Sequence, residues 1–135
     1  DGVVALSYTL RQLAALFLMC DRHDLGLALG DNGQGEARIE RGLLRLGAGR
    51  GGRSAEPPPG DDYEPNVFVY DAYPGGIGLS EPLYRLHDRL LAESRALIAA
   101  CPCVDGCPSC VGPAGVVGSK GKQVALAILE AVATE

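Results

Sequence analysis

The chain has 135 residues, of which 47% are apolar and 21% are charged, and its formal net charge is −5. This composition is typical of a globular domain that buries its own core, and it excludes a wholly disordered chain. The acidic balance argues against a stand-alone nucleic-acid binder, which usually gathers Lys and Arg on one face. The longest apolar run, 13–20, is too short for a membrane span, which needs about 20 residues.

The amino terminus suggests a piece of a longer protein. The first residue is Asp1, and a helical pattern follows almost at once with no leader for secretion. We therefore expect 1–135 to be a single domain cut from a longer, cytoplasmic chain.

The first half of the chain predicts one helix and part of a small sheet. Apolar residues recur at spacings of three and four over 6–20, the period of a helix, whose apolar second half is expected to be buried. A short apolar stretch at 25–29 predicts a strand, whereas 36–46 fits a short helix about as well as a strand. The segment 47–62, rich in Gly, Arg and Pro, predicts a flexible surface loop.

The second half predicts a strand and two more helices. β-branched and aromatic residues at 67–70 predict a strand buried on both faces. A long helix is expected from Ser80, which would cap it, to the residue before Pro102. A last amphipathic helix is expected over 119–132, with a buried side formed by Val124, Ile128, Leu129 and Val132.

Four of the five cysteines are crowded into one short segment, as Cys101, Cys103, Cys107 and Cys110. Zinc prefers four tetrahedral ligands, and thiolates suit both its charge and its softness. A secreted disulfide scaffold would spread its cysteines, so the crowding favours metal ligation in a reducing compartment. With four protein ligands and no open position, the ion would be structural. The sequence therefore predicts one structural zinc ion per chain.

Two other states of these cysteines stay open at the level of the sequence. One is a pair of local disulfides, although a bond between Cys101 and Cys103 would be strained by the single residue between them. The other is an iron–sulfur cluster, although such clusters usually draw at least one ligand from farther away.

Three weaker patterns assign no catalytic or cofactor-binding residue. The Gly-rich turn 73–78 lies between a predicted strand and a predicted helix, where backbone N–H groups can hold phosphate, but it matches no phosphate-binding motif. The segment 115–122 superficially resembles a P-loop, but its glycine spacing is wrong and Gln123 stands where Ser or Thr would bind magnesium. Cys20 and His23 could form a thiol nucleophile and its base, but Cys20 fits better on the apolar face of the first helix.

Three segments in order resemble a known family: FLMCDRHDLG, VFVYDAYPGGIGL and ACPCVDGCPSCVGP. They are similar to the zinc-binding C-terminal domain of DEAD/DEAH-box helicases of the mitomycin repair factor A type. The similarity covers most of the chain except about 31–65. It implies an accessory module attached to an ATP-dependent DNA-translocating motor, with zinc bound by Cys101, Cys103, Cys107 and Cys110. A related domain also occurs in phage-defence systems, and the motor's own ATP-binding motifs are not found in this sequence.

We therefore expect an α+β fold in which about three main helices pack on a small sheet and a four-cysteine zinc loop joins the last two helices. The expected function is a non-catalytic zinc-binding module of an ATP-dependent DNA helicase, in DNA repair. Its expected partners are the motor domains of the same parent chain and, through the parent, DNA, with no membrane. The alternatives are a protein-interaction module of a helicase-associated or phage-defence complex, which suits the acidic charge better, and a thiol enzyme using Cys20.

Overall fold

The computed structural model describes residues 1–31, 36–40, 43–46 and 65–133, and it confirms the predicted α+β fold class. The elements follow one another as α1 (Gly2–Phe17), β1 (Leu25–Asp31), β2 (Glu36–Glu40), β3 (Leu43–Leu46), β4 (Pro65–Asp71), α2 (Ser80–Arg85), α3 (His87–Ala100), α4 (Ala114–Val117) and α5 (Gly121–Val132). The segment that fitted a helix or a strand about equally well contributes two strands, β2 and β3. The loop predicted at 47–62 lies outside the described residues. Over the described ranges, no helix is long and apolar enough to cross a membrane.

The sheet has the strand order β3-β2-β1-β4, and every neighbouring pair is antiparallel. β1 and β4 pair along their whole length, from Leu25 opposite Asp71 to Asp31 opposite Pro65. Alternate side chains of a strand point to opposite faces, so one face of this pair can be buried and the other exposed. The buried face carries Leu27 and Leu29 of β1, which pack with half-buried valines: Val3, Val4, Val67 and Val69.

The outer face of β4 corrects one prediction. The strand 67–70 was expected to be buried on both faces, but Phe68 is 55% exposed and Tyr70 is 39% exposed. The expectation is wrong because, among the described residues, the helices pack on the valine-bearing face alone. Tyr70 lies across Gly26 of β1, where a Cβ would come within 2.2 Å of the tyrosine ring. Gly26 therefore allows this close approach of an aromatic ring to the sheet.

The main hydrophobic cluster joins α1, α3 and α5 with the cysteine segment. Its buried members are Ala5, Leu6, Ile98, Cys110, Val111, Val117, Ala125 and Leu129. The buried side of the last helix was predicted in part: Leu129 is buried and Ile128 is half-buried, but Val124 is 40% exposed and Val132 is 46% exposed. Gly121 and Ala125, which were not predicted, are buried in their place. Gly121 lies against Ala5 of α1, and Val124 lies against Gly2, so at each of these two contacts a glycine lets the two helix backbones come close together.

The carboxyl end of α1 corrects a second prediction. The helix ends at Phe17, so Cys20 lies beyond it and not on its apolar face. Leu16 is 67% exposed and Met19 is 93% exposed, although this half was expected to be buried. Met19 has a φ of 50°, in the left-handed region, and so marks the point where the chain leaves the helix. The side of α1 that is buried here carries the small residues Ala14 and Ala15.

The predicted long helix after β4 is two helices. The N–H of Leu86 donates to the carbonyl of Leu83, three residues back, and α3 begins at His87. The His87 ring stacks on Tyr84 with centroids 5.3 Å apart, and its Nδ1 is 2.7 Å from the Tyr84 carbonyl. Ser80 lies inside α2 and makes no capping hydrogen bond, so the predicted serine cap is wrong.

Candidate metal centre

The cysteine segment begins where α3 ends and runs to the one-turn helix α4, so it lies between the two long helices α3 and α5 as predicted. Cys101 follows α3 directly, and its N–H donates to the carbonyl of Leu97 at 3.2 Å. The carbonyl of Cys107 accepts the N–H groups of Cys110 and Gly112, both at 3.0 Å. These two hydrogen bonds form the tight turn expected of a C-x2-C knuckle.

The sulfur atoms of the four cysteines form one cluster. The Sγ–Sγ distances are 3.5 Å for Cys101 and Cys107, 3.4 Å for Cys103 and Cys110, and 3.7 Å for Cys107 and Cys110. All four sulfurs lie within 4.8 Å of one another, and this is the one such group of potential ligands found among the described residues. A zinc ion about 2.3 Å from each of four tetrahedral sulfurs would set them about 3.8 Å apart. The arrangement therefore fits a single four-coordinate ion.

The same distances bear on the two alternatives. All five cysteines are free thiols in the structure, and the sulfurs are farther apart than the roughly 2.05 Å of a disulfide. A cluster with several iron atoms has to spread its thiolates around more than one metal centre, which a group this compact does not do. The geometry thus favours one ion over either alternative.

The thiols of the site differ in acidity. A hydrogen bond from the backbone N–H of Ser109, together with contact to the Cys101 thiol, lowers the pKa of Cys107 to about 7. Burial raises the pKa of Cys110 to about 12. Zinc binds the thiolate form, so the lowered pKa of Cys107 would favour metal binding at neutral pH, whereas Cys110 would have to release a proton to become a ligand.

Side chains of α1 donate hydrogen bonds to the backbone of the second half of the cysteine segment, residues 107–110. The buried hydroxyl of Thr9 donates to the carbonyl of Cys110 at 3.0 Å. Nearer the surface, Tyr8 Oη and Gln12 Nε2 both donate to the carbonyl of Pro108, each at 3.2 Å. These contacts connect residues about 100 positions apart in sequence, and no spacing rule could have indicated them.

Lys122 is a further residue at the site that the sequence did not indicate. It lies in the first turn of α5, and its Nζ reaches the carbonyls of Cys101 and Cys103 and the sulfur of Cys103. The one signal in the sequence is a lysine near a helix start, where the macrodipole disfavours positive charge. That signal does not identify a partner.

Cys20 and His23 do not form a nucleophile and its base in the structure. Burial, followed by the charge of Asp24, raises the pKa of Cys20, which opposes thiolate formation. The His23 Nδ1 lies 2.6 Å from Asp21 Oδ1 on the exposed surface, so the imidazole is engaged with a carboxylate. Neither group has the environment that a thiol enzyme requires.

The turn after β4 is organised around the carboxylate of Asp71. This carboxylate accepts the N–H of Leu79 at 3.2 Å and the N–H of Ile77 at 3.3 Å, just where α2 begins. The Tyr73 hydroxyl donates to Asp24 at 2.8 Å and so connects this turn to the loop between α1 and β1. Because Asp71 already occupies the helix start as an anion, the geometry disfavours phosphate binding there.

Comparison with known proteins places these features in one family. Residues 6–111 match the family described as the MrfA Zn-binding domain. Over 128 residues, or 95% of its length, the chain is 30% identical to the uncharacterized ATP-dependent helicase YprA of Bacillus subtilis strain 168, and it spans 14% of that protein. A stretch of 45 residues, 33% of the chain, is 44% identical to the uncharacterized protein MJ1572.1 of Methanocaldococcus jannaschii and covers 40% of it.

A solved structure shows the same fold. The chain superposes on the crystal structure of the DUF1998 helicase MrfA bound to DNA with a TM-score of 0.63 and 29% sequence identity. The match covers 96% of the chain and 14% of that helicase. The chain therefore spans about one seventh of the length of each of the two helicases that it matches.

Proposed function

Since the chain belongs to the MrfA Zn-binding domain family, we propose that it is the non-catalytic, zinc-binding module of an ATP-dependent DNA helicase. In this proposal the module supports the motor or its DNA path, the parent acts in DNA repair, and the location is cytoplasmic. The observation that carries the proposal is the group of four sulfurs within 4.8 Å of one another.

Cys101, Cys103, Cys107 and Cys110 are the proposed ligands, and they use all four positions of a tetrahedral zinc ion. Such an ion holds no water or substrate, so the chemistry it supplies is cross-linking of the chain and not activation of a nucleophile. Cys101 ends α3, and Cys110 is hydrogen-bonded to α1 through Thr9. Zinc at this point would lock α1 and α3 together.

The first test of the proposal is the metal content of the chain purified under reducing conditions. We expect one zinc ion per chain, and removal of the ion with a chelator should loosen the cysteine segment and lower the stability of the helical cluster. Iron in place of zinc would overturn the proposal. So would a metal-free chain that stays fully folded.

A pair of serine variants makes the test specific to the four ligands. Cys107→Ser removes a half-buried ligand and should bring the zinc content well below one ion per chain. Cys20→Ser is the matched control, because Cys20 is also half-buried but is not among the four clustered sulfurs. Equal zinc content in both variants would exclude Cys107 as a ligand.

Support for a helicase motor is proposed from the similarity to a protein named as an ATP-dependent helicase, of which this chain spans 14%. The chain alone should have no ATPase activity. Its affinity for single-stranded or forked DNA, measured at low and moderate salt, tests a role in the DNA path, because phosphate contacts weaken steeply as salt rises.

A protein-interaction module in a helicase-associated or phage-defence complex is the second candidate. The net charge of −5 favours it over direct contact with DNA. Exposed apolar side chains on two elements also favour it, with Leu16 and Met19 at the end of α1 and Phe68 on β4. Absence of DNA binding at low salt, together with specific binding to the motor domains of its parent, would select this candidate.

A further inference from the structure

Lys122 makes three contacts with the first half of the cysteine segment. Its Nζ lies 2.7 Å from the carbonyl oxygen of Cys101, 2.5 Å from the carbonyl oxygen of Cys103 and 3.5 Å from the sulfur of Cys103. The side chain is half-buried, so these contacts are shielded in part from water. One ammonium group thus bridges both members of the C-x-C pair.

The two halves of the segment are held in different ways. Cys107 and Cys110 are joined by a backbone hydrogen bond of 3.0 Å that closes their turn. Within the described part of the chain, no backbone N–H from Cys103 to Gly106 donates to a backbone carbonyl. Lys122 therefore provides hydrogen bonds that hold the C-x-C half, where the backbone provides fewer.

Charge gives a second reason for a cation here. Four thiolates around one zinc ion carry a net charge of −2, and a nearby ammonium group reduces the repulsion among them. Lys122 lies in the first turn of α5, close to the positive end of the helix dipole. A positive charge is unfavourable there unless a negative group lies beside it. The Cys103 sulfur and the two carbonyls are such partners.

We propose that Lys122 is the positioning residue of the zinc site. It fixes Cys101 and Cys103 through their carbonyls and balances part of the thiolate charge through its contact with the Cys103 sulfur. Groups that orient metal ligands from outside typically change metal affinity by about 10- to 100-fold when they are removed. The inference rests on the proposed function, because it assumes that the four cysteines hold zinc.

The experiment compares Lys122→Met with Lys120→Met in the same chain. The first variant keeps the length and the apolar stem of the side chain but removes its charge and donors. The second removes an exposed lysine, two residues earlier, whose side chain makes no hydrogen bond or ion pair within the described residues. Zinc affinity is measured by competition with a chromogenic chelator, on protein with an unchanged circular dichroism spectrum. Cobalt(II) is then substituted for zinc, and the thiolate-to-cobalt charge-transfer band is recorded.

Lys122→Met is expected to weaken zinc binding by about 10-fold or more and to shift the charge-transfer band, since a sulfur would lose a hydrogen bond. Lys120→Met should leave both unchanged. The inference would be overturned if Lys122→Met lost less than about twofold in zinc affinity and its charge-transfer band did not shift. It would also be overturned if Lys120→Met lost as much zinc affinity as Lys122→Met. If Lys122→Met does not fold with excess zinc, Lys122→Ala, which also removes the charge and the donors and favours the helix, is measured against the same limits.

The unmodified chain separates failure of this inference from failure of the proposed function. A wild-type chain that binds no zinc refutes the proposed function, and the inference with it. A wild-type chain that binds one zinc ion, with Lys122→Met binding it equally well, refutes only the role of Lys122.

Discussion

Replacing Thr9 with valine tests whether α1 and the cysteine segment form one structural unit. The Thr9 hydroxyl is fully buried and lies 3.0 Å from the carbonyl oxygen of Cys110 and 3.2 Å from that of Ala5. A hydroxyl has one proton to donate. The Ala5 carbonyl also receives the N–H of the following helical turn, so Cys110 is the acceptor that depends on the hydroxyl.

The expected cost follows from these contacts. Valine has nearly the shape of threonine and a similar helix propensity, so packing and helix formation change little. The buried carbonyl of Cys110 is left without its donor, which costs about 1–3 kcal/mol. We expect the free energy of unfolding of the zinc-loaded chain to fall by about 2 kcal/mol, a factor of about 30 in the folding equilibrium.

Ser94→Ala is the matched control, because Ser94 is also fully buried and its hydroxyl donates to a carbonyl of its own helix, that of Leu90. That carbonyl keeps its helical N–H partner, so the control should change stability by less than about 0.5 kcal/mol. The chain has no Trp, so urea unfolding is followed by far-ultraviolet circular dichroism. Equal losses in the two variants, or a loss below about 0.5 kcal/mol for Thr9→Val, would refute the argument.

Three further predictions concern other parts of the chain. Gly106→Ala should destabilise the zinc-loaded chain by about 1–3 kcal/mol in urea unfolding, since its φ is 126° and the new Cβ would lie 2.7 Å from a methyl of Val111. Tyr73→Phe should lower stability at neutral pH but not at high pH, because the hydrogen bond to Asp24 raises the pKa of Tyr73 above 10.0. Cys20 should react with iodoacetamide more slowly in the folded chain than in urea, since burial raises its pKa.

Each of these predictions has a control or a contrary result. Gly115→Ala should be harmless, because nothing lies within 4 Å of its Cβ position, and an equal loss there would contradict the argument for Gly106. For Tyr73, a raised folded-state pKa gives stability that is present below the unfolded pKa and is lost as pH rises through the folded value. The difference in urea midpoint between wild type and Tyr73→Phe should therefore shrink above pH 10, and a constant difference would be contrary. Fast alkylation of folded Cys20 would revive the thiol-enzyme hypothesis.

The elements that could be predicted from the sequence are those set by local patterns. The strand at 25–29 and the helix over most of 6–20 follow from apolar period, and the structure has β1 at Leu25–Asp31 and α1 at Gly2–Phe17. The group of four cysteines follows from spacing, since only a short, bent loop separates them. These features depend on residues that are near one another in the chain.

The faces of the elements were predicted less well, because burial depends on which partner packs where. Phe68 and Tyr70 looked like core residues by type but lie on the uncovered face of β4. The last helix selects a small side chain, Ala125, for its buried side and leaves Val124 40% exposed, with one side of Val124 against Gly2 of α1. Hydrophobic type alone does not reveal this selection.

By itself, then, the sequence determined which four candidate ligands lie together, because one short loop holds all four thiols, but it left two local disulfides and an iron–sulfur cluster open. The tertiary structure decided which residues from other elements contact the four cysteines. Thr9 of α1 contacts Cys110, which lies 101 residues later in the sequence. Lys122 of α5 contacts Cys103, which lies 19 residues earlier. Such contacts exist only once the helices have packed, because no local rule brings a residue of one helix to the backbone of a distant loop.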